Sequence, residues 1–119
     1  MDKWGQIMRQ NNSITADSKQ FMVIALENGD SVNFRIYFMP TQASWYYDFE
    51  YKNYKSNGNK VVLSPNALRY LRKIIPFGFA FIAENNIEPF NIDDFESQRV
   101  QMFILNENDV LEVENSIYG

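Results

Sequence analysis

The sequence predicts a mainly β protein, a small antiparallel β-barrel or sandwich of six to seven strands with one or two short helical segments. Three observations predict it. Apolar and polar residues alternate over several runs, most clearly in 44–51, as in strands with one buried face. Turn-forming clusters of Asn, Gly, Ser and Pro separate those runs at hairpin length. No strand–helix–strand period appears, so a parallel sheet is not expected.

Residues 1–19 read as a polar, flexible or partner-ordered arm. Its small apolar cluster, Trp4, Ile7 and Met8, has the i, i+3, i+4 spacing of one helical face. Residues 20–106 read as one β-domain. Phe21 to Leu26 is a first apolar strand, Glu27-Asn28-Gly29-Asp30 a turn, and Val32, Phe34, Ile36 and Phe38 the inward face of a second strand. The Asn-Gly pair accepts the positive φ angles of a tight hairpin. Pro40 ends that strand, lacking an N–H for a ladder.

A third strand, 44–51, puts Trp45, Tyr47, Phe49 and Tyr51 on one face and Tyr46, Asp48 and Glu50 on the other. Asn53 to Asn59 then reads as a loop and Val61-Val62-Leu63 as a fourth strand, closing a meander. Ser64-Pro65 opens a short helix over 64–75, Ser64 as cap and Pro65 at the first helical position, with Leu68, Leu71 and Ile75 on its inner side. Phe77 to Ala83 is an aromatic strand whose small residues, Gly78 and Ala80, imply close backbone approach. Glu84 to Glu96 is a connection in which Asp93-Asp94-Phe95 makes a single helical turn. Arg99 to Leu105 is the last clear strand. Residues 107–119 read as an acidic tail or a weak final strand at Val110-Leu111-Glu112-Val113.

Composition narrows the function. The 119 residues suit one domain, and 45% hydrophobic and 16% aromatic content is enough for a core. With no histidine and no cysteine, the chain cannot build a Ser-His-Asp or Cys-His relay, a zinc site with nitrogen or sulfur ligands, or a disulfide. A net charge of -4 is the wrong sign for a domain bound to phosphates, so no nucleic-acid partner is expected. The N-terminus has no apolar signal region, and no run reaches the roughly 18 residues of a transmembrane helix, so a soluble chain without membrane contact is expected.

Each candidate site has a plain alternative. Asp93, Asp94 and Glu96 resemble a cation cluster but lack calcium-loop spacing, and a solvated cap explains them. The carboxylates Glu107, Asp109, Glu112 and Glu114 read as a solvated acidic end. The Trp45 stripe is either core or a stacking face for sugars or bases. Arg69, Arg72 and Lys73 are either an anion contact or a solvated helix face. No metal, cofactor or catalytic residue is expected.

In order, the pieces Ala43-Ser44-Trp45-Tyr46-Tyr47-Asp48-Phe49, Val62 to Leu71, Asp93-Asp94-Phe95 and Arg99 to Leu105 resemble the small baseplate plug-type proteins of contractile-tailed bacteriophages. The resemblance runs from about Phe21 to Leu105. It implies a non-catalytic structural component of the tail baseplate, plug or hub-associated, made in the host cytoplasm and carried in the virion. Its partners would be other tail proteins and copies of itself, with no cofactor and no small-molecule substrate. The residues assigned to partner contacts are Trp4, Ile7, Met8, Tyr46, Arg69 and Arg72. The rival reading is a ligand-binding β-domain that recognises cell-wall glycan through the aromatic face.

Overall fold

The computed structural model describes residues 8–118. Trp4 and Ile7 therefore lie outside the described residues. Among the described residues, seven strands form two antiparallel sheets that do not close into a barrel. One is four-stranded and in chain order, β2 (Lys19–Ala25), β3 (Ser31–Met39), β4 (Ser44–Tyr51) and β5 (Tyr54–Lys60). The other has the order β1-β7-β6, from β1 (Arg9–Asn11), β6 (Gly78–Ala83) and β7 (Val100–Leu105). A helix, α1 (Glu107–Val113), follows β7.

The aromatic alternation builds the core between the sheets. Phe34, Trp45, Tyr47 and Phe49 from the four-stranded sheet pack with Phe77, Phe79 and Phe81 from the other side. Phe34 meets Phe79 edge-on at 5.4 Å, and Phe49 meets Phe77 at 5.9 Å and 80°, arrangements that suit the ring quadrupoles. The three-stranded sheet is buried on both faces. Its second face, with Ala80, Phe103 and Leu105, is covered by Val110 and Val113 of α1 together with Met8.

The β2–β3 hairpin turns where Asn-Gly requires it, with Gly29 at φ 92° and the Leu26 N–H donating to Asp30 O at 2.8 Å. The close approach at Gly78 comes from a side chain and not from another backbone: a Cβ there would lie 2.5 Å from Asn66 Oδ1 and 2.8 Å from its Cγ.

Five expectations about the elements change. The loop placed at 53–59 is mostly strand: the chain reverses across Lys52 and Asn53, and β5 pairs with β4 from Tyr51↔Tyr54 to Tyr46↔Lys60. Its register shifts between Tyr47 and Phe49, near Gly58 at φ 70°, a bulge on an edge strand. Val61 to Leu63 carries the chain from one sheet towards the other rather than forming a strand, the Val61 N–H donating to Trp45 O and Ser64 bridging Phe81.

The helix expected over 64–75 is reduced to one 3-10 turn at Arg69–Leu71. The Ser64 carbonyl accepts the Phe81 N–H and the Leu68 N–H donates to Asn66 Oδ1, so the first bond of an α-helix, Leu68 N–H to Ser64 O, is not made. Leu68, Leu71 and Ile75 are buried as their spacing predicts.

The chain ends also differ from the sequence reading. Residues 9–11 of the expected arm pair with β7, from Arg9↔Ile104 to Asn11↔Met102, and Ile14 is buried in the core. Residues 107–113, read as a tail or weak strand, form α1, begun by a capping box: the Asp109 N–H donates to Asn106 Oδ1, and the Asn106 N–H donates to Asp109 Oδ2.

Candidate functional site

The connection between β6 and β7 is a braced surface segment. Asp94 stands at its centre. Both oxygens are used: Oδ2 accepts the N–H groups of Phe90 and Asn91 at 2.7 and 2.8 Å, and the Arg99 guanidinium donates to Oδ1 and Oδ2 at 2.9 and 2.8 Å. Arg99 also donates to the carbonyls of Ile87 and Glu88. Burial pushes the Asp94 carboxyl upward, but Arg99 and the two backbone N–H groups outweigh it and hold the group below the usual carboxylate range. Asp94 is thus a buried organiser and not the solvated cap expected. Asp93 and Glu96 are exposed, and the Glu96 carboxylate accepts the Ala16 N–H.

Two further bonds fix the loop to the body. The Trp45 indole N–H donates to Asn91 O at 3.0 Å, and the Leu63 N–H donates to Glu88 Oε1 at 3.0 Å. On this frame Ile87, Phe90 and Ile92 are 49%, 53% and 36% exposed, with the Arg99 guanidinium 4.9 Å from the Phe90 ring centroid. Sequence reasoning missed these three residues. The available signal was isolated apolar residues in a connection otherwise made of turn formers.

The described residues assigned to partner contacts, Met8, Tyr46, Arg69 and Arg72, lie in separate places. Met8 is buried beneath α1. Tyr46 lies half-buried on the outer face of the four-stranded sheet, stacked on Tyr37 at 6.1 Å. Beside it Asp48 accepts from Arg35 at 2.7 Å, the Tyr37 hydroxyl at 3.1 Å and the Gly58 N–H at 2.7 Å. Arg69 and Arg72 both pair with Glu114, at 2.7 and 3.3 Å, and the Arg69 guanidinium lies 4.0 Å from the Tyr118 ring centroid. They fasten the segment after α1, so Glu114 is an ion-pair partner rather than part of a solvated acidic end. Asp109, within the capping box, has its pKa raised by burial, with Glu27 and Glu112 adding to the effect.

The aromatic stripe is core. Trp45 is 0% exposed, packed on Phe38 and Phe95, so this face offers a sugar nothing to stack on. A cleft of about 480 Å³ lies where Met8, Leu26, Pro76 and Ile104 meet the start of α1. It is edged by Glu27, Glu107 and Asp109.

A family model described as cyanophage baseplate Pam3 plug gp18 matches residues 9–107. The chain belongs to this family. The match starts at the first residue of β1 and ends at the first residue of α1, so the family unit comprises both sheets and the braced connection. Residues 9–20, outside the resemblance read from the sequence, are part of it. The protein is a phage baseplate plug-type protein, with a structural role in the baseplate and a place in the virion tail. No curated protein matches the chain. No helix among the described residues is long and apolar enough to cross a membrane.

Proposed function

We propose that this protein is a non-catalytic building block of the baseplate, plug or hub-associated, that works by burying surface against other tail proteins and against copies of itself. The observation that carries this reading is the family match over 9–107. The packing supports it: the aromatic stripe that a glycan-binding domain would expose is spent on the core. Exposed apolar side chains, Ile87 and Phe90 of the braced connection among them, sit instead on the surface, as an assembly part requires. Tyr46, Arg69 and Arg72 remain proposed partner contacts, together with Trp4 and Ile7, and no nucleic acid, membrane or small-molecule substrate is assigned.

The test is deletion of the gene from the encoding phage. The expected result is particles or tails with incomplete baseplates, restored by the wild-type chain supplied in trans. Normal baseplates and normal infectivity without the protein would overturn the proposal.

A further inference from the structure

From the braced β6–β7 connection we infer that residues 84–99 form the contact face for a second, non-identical baseplate protein, which offers an apolar recess edged with Lys or Arg. The inference rests on the baseplate reading above. The connection holds Ile87, Phe90 and Ile92 out from the body on a backbone already fixed through Asp94, Arg99, Trp45 and Glu88. A rigid display of this kind loses little conformational freedom on binding.

Charge selects the occupant. Residues 84–99 contain five carboxylates, Glu84, Glu88, Asp93, Asp94 and Glu96, against the single Arg99, and Arg99 already faces Asp94 at 2.8 Å. Two copies meeting through this face would bring like charges together, which is unfavourable, whereas a basic rim on a different protein gains from the same field. The face also lies at the opposite end of β6 and β7 from the 69–75 segment and α1, because the antiparallel strands run between the two. A partner here would leave that end open.

The experiment measures binding of the purified chain to each other baseplate protein of the encoding phage, produced singly, by biolayer interferometry at low and high salt. Phe90→Ser with Ile92→Ser is one variant and Asp93→Lys a second, with melting temperatures recorded for both. The expected result is one partner whose affinity falls about 30-fold or more with the double variant and about 10-fold with Asp93→Lys. Wild-type binding should also weaken as salt rises.

Unchanged affinity in folded variants overturns the inference, as does binding to none of these proteins. Self-association of the wild type that both variants abolish would make the occupant a second copy, and equally overturns it. Mass spectrometry of purified particles separates this from the baseplate reading. If the chain is in the particle and the variants enter it normally, only this inference fails; if the wild type is absent, both fail.

Discussion

Replacing Asp94 by alanine removes one half of an ion pair in which the carboxylate is 4% and the guanidinium 21% exposed. It also strips the acceptor from the Phe90 and Asn91 N–H groups. Removing one partner of a buried pair costs about 3–5 kcal/mol. Arg99 keeps two carbonyl partners and some solvent, which places the expected loss at the low end, about 3 kcal/mol. For a domain of 119 residues that corresponds to a fall in Tm on the order of 10 °C.

Asp94→Asn keeps the shape and one acceptor and should lose roughly half as much. The pH dependence follows from the depressed carboxyl. Because the folded pKa is below the unfolded value, the stabilisation is present above about pH 4 and is lost as pH falls through the folded pKa. The gap between wild type and Asp94→Asn should therefore be full at pH 7 and close in acid. Urea titrations followed by circular dichroism across pH measure it. An Asp94→Ala melting temperature within about 2 °C of wild type, or a gap that does not depend on pH, would refute the role given to Asp94.

Three other outcomes are expected. Gly78→Ala should destabilise the fold by about 1–3 kcal/mol, since its Cβ would strike Asn66; the double change with Asn66→Ala should recover part of the loss, read as the urea midpoint. Val113→Ala should lower stability by about 2 kcal/mol if α1 covers the sheet as its fully buried Val113 indicates; an unchanged midpoint would mean that α1 is dispensable to the domain. With Trp4 replaced by phenylalanine, Trp45 is the sole tryptophan, and its emission should be blue-shifted and unaffected by cell-wall sugars. Red-shifted, sugar-sensitive emission would return the glycan reading.

The strands legible in the sequence are those with one wet and one dry face. β3 and β4 declare their register by strict alternation, and the Asn28-Gly29 turn fixes their neighbour. β5 escaped because it is a polar edge strand of lysines, serine, asparagines and one glycine, and that composition is also the composition of a loop. β1 is three residues long, too short for any period to show. The 64–75 segment has true helical spacing, but the sheet edge claims its backbone, a tertiary preference that no local pattern contains.

Asn106 and Asp109 form the capping box of α1, but with only seven residues the helix leaves little periodicity behind it. Asp94 was visible as a carboxylate beside other carboxylates. Its burial depends on Arg99 and on the two N–H groups folded back on it, and sequence spacing carries no sign of that. The family resemblance depended on the order of short pieces, and those same pieces, the Trp45 strand and the Asp94 turn, are joined in space by the indole bond to Asn91.

The central claim is that this chain is a structural part of the baseplate, and quantitative mass spectrometry of purified particles of the encoding phage tests it most directly. The account predicts peptides from the chain in intact particles, in a fixed ratio to other baseplate proteins, and retained in isolated baseplates. Infectious particles that contain none of it would contradict the account.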